Sequence, residues 1–367
     1  MNKFIIIFIA IFSISSCKSN FNPIKQALKS EKPSIKKISK KISKYDIQIK
    51  LTVIDSNKNF NDYEFRVKPK KYFYPASTVK LPIALFAMEK INEIDGLDLS
   101  TPFKIEGEDY ITSLKREIEM IFAISSNKSS NRLFELLGQD YINQKYKSKG
   151  INNARMFHRL STKNSDNVNT KKVVFLIGDS IVTIQTKNKQ KDKLKIKNLS
   201  LGKGHIKNGR LISKPMDFSE KNFISIDNLH YLIKLVFYKE KFDERFRFNF
   251  TSEQYDFIKE AMSIIPSDIG LDKNKYPDNY VKNFIYGDIS NIDKKDGIKI
   301  YNKTGSAYGH MTEVALIKKG DLSIILTATI NVNTNKIYND NNYDYSSLGS
   351  PFFAELSREI IKIVESK

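Results

Sequence analysis

The chain has 367 residues, 40% of them hydrophobic, with 24 Phe and 18 Tyr. That is ample core for one large domain or two lobes sharing a cleft, and it excludes a disordered protein. The formal net charge is +20, but Lys, Asn and Ile are used heavily throughout. With no zinc-finger spacing, RNA-binding aromatic signature or phosphate-cradling glycine loop, no nucleic-acid partner is expected.

The amino terminus opens with Lys3 and an unbroken apolar run, Phe4 to Phe12, then Ile14-Ser-Ser-Cys17. The run is too short to span a bilayer, so residues 1–16 read as a signal peptide. Cys17, the single cysteine, stands right after small residues and is expected to become a lipidated first residue that ties the protein to a membrane. One cysteine rules out an internal disulfide and argues against a cysteine metal site. His158, His205, His230 and His310 show no ligand spacing, so no metal and no organic cofactor are expected.

Residues 17–33, polar and interrupted by Pro23 and Pro33, read as a tether; the folded domain is expected over 34–367. Ile35, Ile38 and Ile42 recur at helical spacing through Ser43. Ile47, Ile49, Leu51 and Val53 alternate with polar neighbours as in a half-buried strand, and Tyr63 to Val67 returns as the second arm of a hairpin. An extended run, Tyr72-Phe-Tyr-Pro-Ala, turns into a helix at Ser77 that continues to Ile91, with Pro82 expected to remove a backbone bond and bend it. Helices are predicted over Leu114–Ile124 and Ser130–Leu137, the latter stopped by Gly138. Residues 141–170 read as irregular. Val173 to Ile177 and Ile181 to Ile184 read as a strand pair inside an insertion of about 171–210, whose Lys/Asn-rich part from 187 reads as exposed loop. Ser225 caps a helix to Phe237, and another covers Ser252 to Ile264. Strands are predicted over Gly297–Asn302, Glu313–Lys318 and Leu322–Ile330, then a helix over Leu356–Val364. The plan is α+β: one antiparallel sheet of about five strands covered by N- and C-terminal helices, beside a mostly helical lobe.

Three short motifs stand in order along this plan: Ser77-Thr-Val-Lys80, Ser125-Ser-Asn127 and Lys303-Thr-Gly305. A serine hydroxyl is a poor nucleophile unless a base lies within hydrogen-bond reach. Lys80, one helical turn from Ser77, serves if burial and nearby cations lower its pKa. Ser125 and Asn127 offer a hydroxyl and an amide; Lys303 and Thr304 suit a substrate carboxylate, and Gly305 admits close approach. Taken singly, these are a helix cap with a solvated lysine, a helix-capping turn, and a strand end. Together they form a set able to open an amide or lactam through an acyl intermediate.

In these motifs and their contexts the chain resembles the class A β-lactamases and penicillin-binding serine hydrolases. The contexts are Tyr74-Pro-Ala-Ser-Thr-Val-Lys-Leu-Pro, Ser125-Ser-Asn-Lys-Ser-Ser-Asn-Arg-Leu, and Lys303-Thr-Gly-Ser with Thr312-Glu-Val-Ala. The resemblance runs from about residue 34 to the end and implies a two-lobe fold with the active site in the cleft. It implies that Ser77 is acylated, Lys80 accepts its proton and Ser125 passes a proton to the leaving nitrogen. Asn127 would orient the substrate amide, and Lys303 and Thr304 would bind its carboxylate. The backbone N–H groups of Ser77 and Ser306 would form the oxyanion hole. The implied substrate is a β-lactam or, alternatively, a peptidoglycan peptide; a non-catalytic sensor would keep the same cleft. Two departures stand out. Ser126 replaces the family's usual Asp, and no Glu occurs from Tyr141 to Ser219, where class A enzymes carry their deacylating base. Asp166 is the carboxylate in a suggestive place.

Overall fold

The computed structural model describes residues 21–189, 193–287, 289 and 297–367. The expected signal peptide and Cys17 lie outside the described residues. No helix among the described residues is long and apolar enough to cross a membrane.

Helices α1 (Pro23–Ala27) and α2 (Pro33–Ser39) open the fold. Both start on proline, whose fixed φ suits a first helical turn and whose missing N–H has no partner to lose there. Asn22 caps α1 by accepting from the Lys25 N–H at 3.1 Å. Ile24, Ala27, Ile35 and Ile38 are fully buried. The segment read as a tether up to residue 33 is therefore folded from Pro23, because its few apolar residues share one face among the lysines. The helix read through Ser43 breaks after Ser39 into a separate 3-10 turn, Ile42–Tyr45.

Strands β1 (Gln48–Ile54) and β2 (Phe60–Phe65) form the hairpin, and the 3-10 turn Ala76–Val79 leads into α3 (Lys80–Ile91). Pro82 is the third residue of α3, in the first turn, so it costs no α-helical bond. After β3 (Phe103–Ile105), Ser113 caps α4 (Leu114–Ile124) by accepting from the Arg116 N–H at 3.3 Å. The helical span α5, Asn127 to Ser148, is two helices joined at Gly138, where the first stops as expected and a second continues into the stretch read as irregular. Gly138 breaks it locally with φ of 71°, where a Cβ would lie 2.5 Å from Thr186 Oγ1.

The short β4 (Ala154–Arg155) is followed by the hairpin of β5 (Val173–Ile177) and β6 (Ser180–Ile184). This hairpin is not an appendage: β5 pairs with β3, and Val173 and Phe175 are fully buried in the helical lobe's core. The stretch read as exposed loop carries β7 (Ser200–Leu201), β8 (Gly204–Lys207) and β9 (Arg210–Ile212). Leu194, Ile196, Leu199 and Leu201, spaced among the lysines, pack on an aromatic cluster of Tyr72, Tyr74 and Phe218. Next come β10 (Met216–Asp217), β11 (Phe223–Ile224), α6 (Ile226–Phe237), α7 (Ser252–Ser263) and the short α8 (Asn283–Tyr286).

The carboxy-terminal third supplies β12 (Ile298–Ala307), β13 (His310–Lys319), β14 (Leu322–Asn331), β15 (Ile337–Tyr338) and α9 (Ser350–Glu365). The main sheet is antiparallel with order β12-β13-β14-β1-β2. One face packs on α1, α2 and α9 through Ile49, Leu51, Leu326, Phe353 and Leu356. The other face is buried too, against α6 and the helical lobe of α3, α4, α5 and α7. There the hydroxyls of Thr52 and Thr327 bracket the His230 ring at 2.7 and 2.9 Å. Strand β1 is thus covered on both sides; Thr52 reaches the buried His230, while Lys50 pairs with Glu64 and Asp227.

Candidate active site

Ser77 sits where the buried run Tyr72–Pro75 bends into α3. Ala76, just before it, takes a left-handed φ of 47°, a conformation an alanine holds only when its surroundings impose it. The bend is tied by Thr78, whose N–H and hydroxyl both donate to the Pro75 carbonyl, at 3.0 and 2.6 Å. Ala76, Thr78 and Val79 are buried while Ser77 remains partly open. Strand β12 passes directly against this bend. A Cβ on Gly305 would lie 2.5 Å from the Ser77 nitrogen and 2.9 Å from the Pro75 oxygen, so only glycine fits. Lys303-Thr-Gly therefore lies inside β12, which runs on to Ala307, rather than following a strand that ends at Asn302.

Lys80 is completely buried. Its Nζ donates to Asn127 Oδ1 at 2.6 Å, to Ser125 Oγ at 3.2 Å and to the Ser125 carbonyl. All three acceptors are neutral. Burial, and secondarily the cation of Lys303, hold the Lys80 amine well below its ordinary pKa. Ser125 reaches this position because it ends α4 in a left-handed conformation, φ 54°, which turns the chain before α5 begins. Ser126 accepts from the Ser129 N–H at 3.1 Å and caps α5, the work a short polar side chain can do in place of aspartate.

Lys303 approaches the same hydroxyl from the sheet, its Nζ 2.8 Å from Ser125 Oγ and 2.7 Å from the Thr304 carbonyl. Ser125 Oγ thus lies between two buried amines and accepts from both, leaving its own proton for a third partner. Burial brings Lys303 down to about 7, against the attraction of Glu313. Thr304 Oγ1 accepts from Asn283 Nδ2 at 2.7 Å. Ser306 is exposed one residue beyond Gly305. The structure thus links Lys80, Ser125, Asn127 and Lys303 in one hydrogen-bonded group beneath Ser77, with Thr304, Gly305 and Ser306 following along the adjoining strand.

Behind this group lie buried polar residues that the motif reading missed. Lys282 Nζ donates to Asn302 Oδ1 at 2.6 Å, and Asn302 Nδ2 donates to Glu313 Oε1 at 2.6 Å. Burial lowers Lys282 to about 7 and raises Glu313 to about 7. Glu313 had a signal, being an acidic residue within the strand Thr312-Glu-Val-Ala. Lys282, in an irregular stretch, had none.

A cavity of about 490 Å³ opens above Ser77, lined also by Asn127, His158, Leu160, Ser306 and Tyr308. Its loop wall is pinned by asparagines. Asn131 donates to the Leu160 carbonyl at 2.8 Å and accepts from the Leu160 N–H at 2.9 Å. Asn222 Oδ1 accepts from the N–H groups of Phe157 and His158 at 2.7 and 3.0 Å. Arg159 pairs with Glu135 through two bonds of 2.6 and 2.9 Å behind the wall. Asp166 is exposed and does not line the cavity, so it is no substitute for the missing glutamate; the loop turns Leu160 and His158 inward instead. No carboxylate lines this cavity among the described residues. Nor does any cluster of His, Cys, Asp and Glu there form a metal-binding group.

A search of curated proteins gives no match. Solved structures do match in fold. A β-lactamase from Sphaerobacter thermophilus is 12% identical with a TM-score of 0.54, covering 94% of this chain and 98% of that one. A class A β-lactamase from Bacteroides cellulosilyticus is 12% identical with a TM-score of 0.55, covering 95% and 100%. A point mutant of PBP-A, captured as its acyl-enzyme with penicillin G, is 15% identical with a TM-score of 0.52, covering 94% and 97%. The family model described as the beta-lactamase enzyme family matches residues 33–217, just over half of the sequence. By that match the chain belongs to the beta-lactamase enzyme family, whose two-lobe fold it shares.

Proposed function

We propose that the protein hydrolyses β-lactams through an acyl-enzyme on Ser77. The observation that carries this is the burial of Lys80 among neutral acceptors, which favours a free amine one turn from the nucleophile. In this reading Lys80 takes the Ser77 proton as Oγ attacks the lactam carbonyl. The backbone N–H groups of Ser77 and Ser306 receive the developing oxyanion. Ser125, held between Lys80 and Lys303, gives its proton to the departing nitrogen and is recharged from Lys80. Lys303 and Thr304 hold the substrate carboxylate, and Asn127 the side-chain amide. Cys17 would carry the lipid that keeps the enzyme at a membrane on the exported side.

A second reading, a penicillin-binding D,D-peptidase or sensor acting on peptidoglycan peptides, is favoured by the cavity lining, which offers the acyl-enzyme no carboxylate base. A time course of intact mass for the full chain with a penicillin, beside Ser77→Ala, separates the two. An adduct that clears while hydrolysed drug accumulates supports the lactamase. An adduct lasting hours supports the penicillin-binding protein. No adduct on the wild type, or an equal one on Ser77→Ala, overturns both.

A further inference from the structure

From Lys193 to Met216 the chain carries seven Lys and Arg residues and no Asp or Glu. Lys193 reaches Glu220 at 3.8 Å. Lys203, Lys207, Arg210 and Lys214, all exposed on or beside the hairpin of β8 and β9, have no carboxylate within ion-pair distance among the described residues. The hairpin closes through a two-residue turn, Asn208-Gly209, with φ of 51° and 74°, a geometry whose twist matches that of paired strands. This turn sets Lys207 directly opposite Arg210. Like charges facing each other across a strand pair destabilise it, and no acid of the hairpin offsets the repulsion.

Beside that pair Leu211 is 56% exposed and Ile212 36%. Successive strand residues point to opposite faces, so β9 shows an aliphatic side chain on each side. It is also an outer strand of its sheet, order β15-β8-β9, with one row of backbone groups unpaired. The hairpin thus offers clustered cations and bare aliphatic groups at a single projecting edge.

We propose that this hairpin docks on a bilayer surface containing anionic phospholipid, its cations among the head groups and Leu211 and Ile212 at the boundary with the acyl chains. Charge complementarity selects an anionic surface, to which each nearby Lys or Arg adds about fivefold in affinity. The aliphatic pair selects lipid over a soluble polyanion, which offers nothing for it to bury in. Neither acylation of Ser77 nor a lipid on Cys17 is needed for this docking. The hairpin adjoins the cleft. Strand β8 pairs with β15, and Asn339, just past β15, donates to the Ile206 carbonyl at 2.9 Å while lining the cavity above Ser77. A docked hairpin therefore holds that edge of the cleft close to the bilayer.

The chain contains no tryptophan, so a single one can report the surroundings of the hairpin. Leu211→Trp is made in the full chain, with Ile181→Trp, at a 66% exposed position on β6, as the control. Each is mixed with vesicles of phosphatidylcholine alone or of phosphatidylcholine with phosphatidylglycerol. On the anionic vesicles the Leu211→Trp emission should shift to the blue and be quenched by brominated acyl chains; on the neutral ones it should do neither. Ile181→Trp should stay unchanged on both. Adding Lys207→Glu and Arg210→Glu to Leu211→Trp should raise the lipid concentration at half-maximal quenching at least about tenfold. Absence of quenching of Leu211→Trp on anionic vesicles would overturn the docking, and binding of polyglutamate by the same protein would then assign the hairpin to an anionic polymer. Equal quenching on neutral and anionic vesicles, equal quenching at position 181, or quenching that survives the charge reversal would also overturn it, since another part of the chain would be making the contact.

Discussion

The floor and the loop wall of the cleft are built by opposite means. On the floor every polar group hangs from the end of a helix or from the edge strand β12, and Lys80, Ser125, Asn127 and Lys303 are linked by bonds of 2.6 to 3.2 Å. The wall from Phe157 to Ser165 has little regular structure; asparagine side chains hold its backbone, and Arg159 anchors it to Glu135. The floor carries two buried amines with no carboxylate bonded to either among the described residues, whereas the wall's arginine is paired with one. Unpaired burial releases a proton; paired burial keeps the charge and fixes a position. In the proposed mechanism the floor makes the acyl-enzyme, and the wall is the part that borders it.

Removing the base from the floor should have the largest effect. Lys80→Met keeps the buried stem and should slow adduct formation on the order of 10²- to 10⁴-fold. In the wild type, formation should rise as pH climbs through the lowered pKa of Lys80, which must be neutral to accept a proton. It should fall again above about 7, where Lys303 loses the charge that holds a carboxylate. Lys80→Met should lose the rising limb and keep the falling one; an unchanged profile would mean that another group is the base.

A smaller effect is expected from giving the wall what it lacks. Leu160→Glu places a carboxylate at a position lining the Ser77 cavity and should shorten the adduct lifetime about tenfold or more. The same lifetime in a folded variant would show that access of water, not its activation, limits release. The smallest change concerns the departure within the second motif. Ser126→Ala removes the α5 cap and should cost about 1 kcal/mol in unfolding experiments. Its adduct formation should stay near wild type; a loss as large as that of Lys80→Met would place Ser126 in the chemistry rather than under it.

The floor was legible because its parts are local. The Ser77–Lys80 spacing follows from helical geometry, Ser and Asn favour the turn that ends α4, and the alternation in β12 to β14 marks the sheet. Errors arose where burial depended on distant residues. Pro23 and Pro33 read as interruptions because nothing nearby shows that α9 covers their helices. The lysine-rich stretch from 193 read as solvated because its few apolar residues gain meaning only against Tyr72 and Phe218. Asp166 drew attention as the carboxylate in the right segment, yet the loop's backbone bonds turn it outward and Leu160 inward.

By itself the sequence determined the order of the nucleophile, amine, hydroxyl and cation, the five-stranded sheet, and the lack of a glutamate in the loop, since each is a matter of residue type and short-range spacing. Only the tertiary structure decided that Ser125 Oγ sits between two buried lysines, and that Gly305 is pressed against the nucleophile's backbone. It alone showed that asparagine side chains and an Arg159–Glu135 pair hold the loop that walls that cleft. Those features depend on desolvation and on approach between segments about 24 to 230 residues apart, which no local pattern encodes.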